Sequence, residues 1–202
     1  MFEKLVKSLL TIVVILCVLA CGDENTDGTS VETVDGSAVD IPVQAAANLR
    51  AKVEVEDKSQ WKVIYTNSEM KSKNKDALKA LDGDEYSFWH TVWGRKHPKH
   101  PHELQVDLGK EHELFGFTYQ PRINGSIDGT VKDYQFFVSN DTKEWREAVA
   151  AGEFKYVQES RSMAVVYFDK SVKGRYFRFV ALSEVNGKDY ASCAEINVIV
   201  EE

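Results

Sequence analysis

Cysteine is scarce in this sequence, and its scarcity excludes most of the chemistry that thiols perform. Of the 3 cysteines in 202 residues, Cys17 and Cys21 lie in or next to an N-terminal apolar run, which leaves Cys193 alone in the rest of the chain. A single cysteine cannot close an intramolecular disulfide or supply the ligands of a cysteine-based zinc finger. We therefore expect a fold that a packed apolar core stabilises.

An excess of positive charge is also missing. The chain has 25 Lys and Arg against 32 Asp and Glu, a formal net charge of −7, and no cluster of basic residues is interleaved with aromatic ones. Nucleic acid binding requires a basic stripe that faces the phosphates. The composition therefore argues against a nucleic acid partner.

Long apolar runs are missing except near the N-terminus. Lys4 and Lys7 precede an apolar run from Leu9 to Ala20. This run is too short to cross a bilayer comfortably. A positively charged start followed by a short apolar run is typical of a secretory signal peptide. We expect residues 1–20 to be such a peptide.

The residues around Cys21 resemble the lipobox of bacterial lipoproteins. Ala20 directly precedes Cys21, although Leu19 departs from the commonest pattern, in which a smaller residue stands there. The resemblance implies that the Cys21 thiol is acylated and anchors the protein in a membrane through several acyl chains. The alternative is an ordinary signal peptide that contains a cysteine. Asp23 and Glu24 resemble the export signal of some Gram-negative surface lipoproteins, which implies an outer-membrane location facing the cell exterior.

Composition divides the rest of the chain into two parts. Residues 21–45 contain no aromatic residue and are rich in small and acidic ones, which predicts a flexible tether. Residues 46–202, in which aromatic residues begin at Trp61, have the size of a single domain.

Alternation with a period of two dominates that domain. Glu103–Leu108 places Leu104, Val106 and Leu108 on one face of a predicted strand, and a single short helical segment is predicted at Asp76–Leu81. Further strands are predicted at Leu114–Tyr119, Tyr134–Val138, Val165–Phe168, Tyr176–Leu182 and Ile196–Val200, and turns at positions that include Gly109 and Gly174. Many short strands with regular turns predict an all-β sandwich or jelly roll.

Three stretches, in their order and spacing, resemble a known family. They are Ala80–Trp93, with its Leu-Asp-Gly-Asp and Trp-His-Thr motifs; Pro101–Trp145, with His-Glu-Leu-Gln-Val-Asp-Leu-Gly and Tyr-Gln-Pro-Arg; and Gly174–Ile196, which ends in Ala-Ser-Cys-Ala-Glu-Ile. Together they resemble a coagulation factor 5/8 type C (discoidin) domain, and more narrowly a bacterial family 32 carbohydrate-binding module. The resemblance implies an eight-stranded jelly-roll sandwich of the galactose-binding-like class. It also implies a monomeric, non-catalytic domain that binds terminal galactose or N-acetylgalactosamine type glycans at the cell surface.

The same resemblance implies a structural calcium ion. Calcium prefers carboxylate, hydroxyl and carbonyl oxygens. By motif, the expected ligands are the side chains of Asp82, Asp84, Ser87 and Glu195 and the backbone oxygens of Leu81 and Ala194. The alternative is an acidic turn without a metal.

A sugar site on loops at one end of the sandwich is implied as well. The family uses a His, an Arg, an Asn and an aromatic platform. The matching residues are His90, Arg122, Asp128 in place of the Asn, and Trp93 or Tyr190 as the platform. Asn124 is an alternative to Asp128 that would need a shifted loop.

Each of these residues also has a purely structural interpretation. His90 would then bond a neighbouring backbone group, and Arg122 would pair with Asp128 or Glu184. Trp93 fits the edge of the core as well as it fits a platform. Core positions are predicted for Trp89, Trp145 and Tyr134.

Three rival functions have some support in the sequence. His97, His100 and His102 have the residue type of a zinc site, but two prolines make their segment extended, so that alternate side chains point apart. A glycosidase needs two opposed carboxylates in a deep cleft, and the short loops nominate no pair. An adhesion or assembly domain that binds protein or lipid is the alternative function, although the polar loops 95–102 and 183–190 favour sugar over lipid.

Overall fold

The computed structural model describes residues 52–55, 57–155 and 161–201, which fold as an all-β domain. Contacts group these residues in a unit that spans Pro42–Glu202. Cys21, the predicted signal peptide, the tether and the domain boundary at residue 46 lie outside the described residues. Within the described part, no helix has the length and apolar character that crossing a membrane requires.

The described residues form nine strands and two short 3-10 helices, with loops between them. The helices are Lys71–Lys73 and Ala77–Ala80, the second within the predicted helical segment. The strands are β1 (Lys52–Glu54), β2 (Lys62–Thr66), β3 (Trp89–His90), β4 (His102–Gln120), β5 (Asp133–Ser139), β6 (Ala150–Glu153), β7 (Ala164–Ala181), β8 (Ser192–Cys193) and β9 (Glu195–Glu201).

Two long antiparallel strands, β4 and β7, form the centre of the fold. The first part of β4 pairs with β2 and with the last part of β7, which in turn pairs with β5, and β5 pairs with β6. The second part of β4 pairs with the first part of β7 and with β9, and β9 pairs with β1. Each long strand therefore belongs to two half-sheets, as the predicted jelly-roll class requires.

The predicted turns at Gly109 and Gly174 are wrong, because the chain does not reverse at either residue. Both residues lie inside the long strands, and the register of β4 against β7 shifts between Asp107 and His112. Gly109 has a φ of 81°, a left-handed conformation that glycine adopts without strain. Glycine here permits a continuous strand to bend from one half-sheet to the other, and this bend produces the same sequence signal as a chain reversal.

The core lies between the two half-sheets and is largely aromatic. Phe117 from the second part of β4 stacks on Phe136 of β5, with ring centroids 4.2 Å apart, and Tyr119 lies 5.7 Å from Phe179 of β7. The predicted inward face of Leu104, Val106 and Leu108 is confirmed, because all three are at most 2% exposed. Stacked aromatic pairs contribute stabilisation beyond the area that they bury.

The predicted core positions of the large aromatic residues are confirmed in two of three cases. Trp89 and Tyr134 belong to the buried core. Trp145 is half-buried and lies between β5 and β6. It follows a turn in which the Ser139 hydroxyl donates to the carbonyls of Asp141 and Glu144, so the chain has already left the sheet before it.

Candidate functional site

A small two-stranded sheet of β3 and β8 joins two distant parts of the chain at one end of the sandwich. Trp89 pairs with Cys193 and His90 with Ser192. The buried Trp89 indole donates to the Ser68 carbonyl at 2.9 Å, which fixes β3 against the segment before the helices. Beyond the sheet, Thr91 N donates to Ala191 O at 2.9 Å. This ladder brings the segment 90–93 beside residue 190.

Three aromatic rings gather where the ladder ends. The His90 ring lies 4.8 Å from Trp93, edge to face, and 5.8 Å from Tyr190. Trp93 is 39% exposed, so its ring is available to a ligand at the edge of the core. Trp93 therefore lies at the edge of the core and also exposes a ring that could serve as an aromatic platform, so the two interpretations of this residue do not exclude each other.

His90 is held by a backbone group and also lines the cavity described below. Its ring is 4% exposed, and Nδ1 lies 2.7 Å from the Thr91 carbonyl. Because a carbonyl only accepts, Nδ1 bears the proton and the neutral ring leaves Nε2 as an acceptor. Burial lowers the pKa of His90, with the hydrogen bond to the Thr91 carbonyl opposing it, so the ring is neutral at pH 7. The predicted bond to a neighbouring backbone group is thus present.

Arg122 reaches the same place from the loop after β4. Its guanidinium lies 4.4 Å from the centroid of the Phe88 ring, and Nε donates to the Asn124 carbonyl at 3.2 Å. Burial lowers the pKa of Arg122, which remains far above neutrality. The alternative pairing with Glu184 does not form, because both carboxylate oxygens of that residue accept backbone N–H groups of its own loop and of Gly129.

Asp128 occupies a tightly fixed turn. Ser192 N donates to the Gly129 carbonyl at 2.6 Å, and a Cβ on Gly129, whose φ is 86°, would lie 2.9 Å from the Ser192 hydroxyl. The Asp128 carboxylate accepts from the Lys188 ammonium at 2.5 Å, and this bond lowers the pKa of Asp128. Asn124, by contrast, is exposed and donates to the Tyr86 carbonyl at 2.7 Å. The structure therefore places Asp128 in the site and Asn124 outside it.

These residues line one open cavity of about 610 Å³, within the size range of small-molecule sites. All five residues predicted to bind sugar meet there, although they come from three separate segments. Sequence reasoning missed three more residues of the wall: Lys75, Phe88 and Lys188. Phe88 directly precedes the Trp-His-Thr motif, so the sequence could have indicated that it lies in the cavity wall. The two lysines lie on irregular segments that give none.

Histidines fix the loop 182–190 that forms one side of the cavity. The two ring nitrogens of His100 lie 3.1 Å from the carbonyl oxygens of Ala181 and Lys188, and the nitrogen that bears the proton donates to its carbonyl. His102 Nε2 bonds the Asp189 carbonyl at 2.9 Å, and His97 Nε2 lies 3.4 Å from the Asp189 carboxylate. The histidine segment that prompted the zinc alternative thus uses its rings to hold backbone oxygens. Among the described residues, no group of three or more His, Cys, Asp or Glu is arranged to hold a metal ion.

The predicted calcium residues lie on the loop after the second helix and at the start of β9. Glu195 accepts from Gly83 N at 2.5 Å, so the loop is tied to β9, and the Ser87 hydroxyl lies 2.8 and 2.9 Å from the two oxygens of Asp82. Lysines neutralise both carboxylates, Lys79 at 3.0 Å from Asp82 and Lys58 in contact with Glu195.

Of the predicted carboxylates, Asp82 and Glu195 lie close enough for their charges to interact, and Ser87 contacts Asp82. Asp84 accepts from Tyr86 N at 2.9 Å and so bonds within its own turn. Leu81 is buried, and Ala194 N donates to the Gln120 carbonyl, which fixes the backbone on both sides of the loop. Burial raises the pKa of Glu195, Lys58 opposes this, and the nearby Asp82 charge adds to it. Two carboxylates that repel each other and a hydroxyl are oxygen donors of the kind that calcium prefers. Lys58 would compete with the ion for Glu195.

A profile of the F5/8 type C domain matches residues 63–196. The chain belongs to the F5/8 type C domain family. Among curated proteins it is 32% identical over 156 residues to a sialidase from Micromonospora viridifaciens, and 28% identical over 165 residues to a galactose oxidase from Gibberella zeae. These matches take in 76% and 81% of this chain but only 23% of each relative. The relationship therefore concerns one domain of those longer proteins.

Solved F5/8 type C domains of the family 32 carbohydrate-binding kind have the same fold. The module CpGH89CBM32-5 from Clostridium perfringens, in complex with GalNAc-beta-1,3-galactose, is 31% identical with a TM-score of 0.61, over 70% of this chain and 96% of that one. The module from C. perfringens NanJ, in complex with galactose, is 26% identical with a TM-score of 0.62, over 74% and 99%. The predicted all-β jelly-roll class is confirmed by these likenesses.

Proposed function

We propose that this F5/8 type C domain binds terminal galactose or N-acetylgalactosamine type sugars without catalysis. The observation that carries the proposal is the meeting of His90, Trp93, Arg122, Asp128 and Tyr190 in one open cavity. Modules of similar structure are described in complex with galactose and with GalNAc-beta-1,3-galactose, which supports the same ligand class here.

The chemistry of the cavity suits such a ring. A guanidinium donates in a fixed fork and the His90 Nε2 accepts, so the two groups can engage neighbouring hydroxyls, one axial and one equatorial. The exposed face of Trp93 or Tyr190 offers an apolar surface to the C–H side of the sugar. Asp128 contributes an acceptor, although it is already bonded to Lys188.

The charges in the wall support binding without hydrolysis. Of the described residues that line the cavity, Asp128 is the single carboxylate. Glycoside hydrolysis by the usual route needs two carboxyl groups on opposite sides of the bond. A second cavity of about 380 Å³ is lined by other residues, among them Ile127 and Thr130 of the loop that carries Asp128, and by none of the predicted sugar residues.

Calcium is part of the proposal as a structural ion. Asp82, Ser87 and Glu195, with the carbonyls of Leu81 and Ala194, would hold it, and Lys58 would have to leave Glu195. When bound, the ion would supply the positive charge that holds the loop against β9. It takes no part in sugar recognition.

The membrane anchor at Cys21 and an outer-membrane location facing the exterior complete the proposal. They are supported by the N-terminal sequence alone. Glycans on other surfaces would then be the partners of a monomeric, tethered domain.

Isothermal titration with galactose, N-acetylgalactosamine and glucose tests the function. A small ring in an open site buries little area, so we expect Kd values of about 0.1 to 10 mM for the first two sugars. Arg122→Ala should abolish binding while the melting temperature stays within a few degrees of wild type, since Arg122 is not a core residue. Arg146→Ala, an exposed residue outside the cavity, is the control with the same loss of charge. If no sugar binds at tens of millimolar, or if Arg122→Ala binds normally, the adhesion function replaces this one.

A further inference from the structure

Positive charge is concentrated at the sugar cavity, although the chain as a whole carries a net charge of −7. Among the described residues, three cationic side chains, Lys75, Arg122 and Lys188, and one carboxylate, Asp128, line the cavity. Lys188 and Asp128 form an ion pair at 2.5 Å and neutralise each other. The Asp128 charge also acts on Arg122, but its carboxylate is paired with Lys188, so three cations share one carboxylate in the wall. Lys75 and Arg122 are therefore the cations that an anionic ligand would neutralise.

Lys75 and Arg122 share the same aromatic ring. The Lys75 ammonium lies 3.6 Å from the centroid of Phe88, and the Arg122 guanidinium lies 4.4 Å from it. The negative face of an aromatic ring attracts a cation but does not neutralise it. Phe88 therefore holds both cations at the cavity.

The two cations repel each other at this position. Burial lowers the pKa of Lys75, and the charges of Arg122 and Lys79 lower it further. Among the described residues, no Asp or Glu lies within 4 Å of the Lys75 ammonium. Glu69 pairs with Lys71, and Asp82 pairs with Lys79.

From this arrangement we propose that the preferred ligand is an acidic galactose-type sugar, with a carboxylate or sulfate group that Lys75 and Arg122 bind together. The inference rests on the proposed sugar-binding function and specifies its ligand class. A neutral sugar would leave both cations without an anionic partner from the ligand. An anionic substituent would relieve that repulsion and form charge-assisted hydrogen bonds.

The size of the effect follows from the exposure of the site. An ion pair in an open cavity contributes far less than a buried one, because water screens it. We expect galacturonic acid or galactose 6-sulfate to bind about three to ten times more tightly than galactose at low ionic strength. Salt should reduce this ratio, because screening acts on the charge and leaves the ring contacts unchanged.

The experiment is titration of the wild-type domain with galactose, galacturonic acid and galactose 6-sulfate, at about 50 mM and about 500 mM salt. The variant Lys75→Met keeps an aliphatic side chain on Phe88 and removes the charge. It should bring the ratio of anionic to neutral affinity close to one. Lys73→Met, an exposed residue of the neighbouring helix outside the cavity, is the matched control and should retain the wild-type ratio.

The outcomes separate the two proposals. If galactose binds and neither anionic sugar binds more tightly, the acidic preference is wrong and the galactose function stands. If the preference exists but survives Lys75→Met, its assignment to Lys75 and Arg122 is wrong, because the charge of Lys75 is then not its cause. If none of the three sugars binds, both proposals fail.

Discussion

Gly116 leaves no room for a side chain between two strands. It lies in β4 next to the register shift at Leu114, where the strand passes over β7. A Cβ built on it would lie 2.2 Å from the Val166 carbonyl oxygen and 3.1 Å from Tyr167 Cα. Both atoms belong to backbone, so the clash cannot be relieved by a rotamer change. Gly116 is thus required for close approach of two strands and not for an unusual φ.

We expect Gly116→Ala to lower the free energy of unfolding by about 3 kcal/mol, since the paired strands must separate to admit a methyl group. Urea unfolding followed by tryptophan fluorescence measures it. Gly152→Ala in β6 is the control, because its added Cβ would come no closer than 3.4 Å, to the Tyr134 hydroxyl. Its effect should stay within about 1 kcal/mol of wild type. Equal effects for the two substitutions would show that the clash at Gly116 is relieved by backbone movement.

Residues with a local motif were predictable from sequence, and residues recruited by loop packing were not. His90, Trp93 and Arg122 could be placed because each stands at a fixed spacing from a strand motif. Lys75 and Lys188 enter the same cavity from segments without periodicity. Their position depends on how the loops fold over one another, for example on the histidines that hold the loop 182–190, and no local pattern encodes that.

At the level of elements, alternation predicts strand faces well and strand ends poorly. The inward face of β4 followed from a period of two, because one side of each half-sheet is buried. The length of β4 and β7 did not, because the glycines that bend these strands carry the same signal as turns. The distinction is made by the partner strands, which lie far away in the sequence.

The loop from Leu81 to Ser87 is the element whose stability should depend on calcium. Its tie to β9 rests on Glu195, whose side chain is 18% exposed and faces both Gly83 N and Lys58. An ion that binds only the folded state at a hundredfold excess over Kd stabilises by about 2.7 kcal/mol. For a domain of this size that corresponds to a rise in Tm of roughly 5 to 10 °C.

We therefore expect a chelator to lower Tm by this amount, and Glu195→Gln to remove most of the difference. Differential scanning calorimetry with calcium and with chelator measures both. Glu144→Gln, an exposed acid beyond the end of β5, should respond to chelator as wild type does. An unchanged melting curve in chelator would mean that Lys58 and Lys79 alone neutralise the loop.

On the scale of the whole molecule, a weak site gains from being displayed in many copies. A Kd near 1 mM corresponds to only about −4 kcal/mol, too little for one domain to retain a glycan against dissociation. Copies on flexible tethers in one membrane convert further binding events into intramolecular ones, which raises avidity by about 10² to 10⁴. The segment 21–45 and an anchor at its first residue are the sequence features that would make this possible.

The last prediction is that Cys21 carries that anchor, and two cysteines four residues apart allow a matched test. Cys21→Ser removes the nucleophile for acylation, so the variant should lose incorporation of a labelled fatty acid and leave the membrane fraction or accumulate as a precursor. Cells that express it should also lose retention of galactose-coated beads, even though each purified domain binds sugar normally. Cys17 lies inside the apolar run of the signal segment. The Cys17→Ser variant should therefore keep both the lipid label and the retention of beads. Retention of the label in Cys21→Ser would contradict the anchor and favour an ordinary cleaved signal peptide, in which case avidity would need another source.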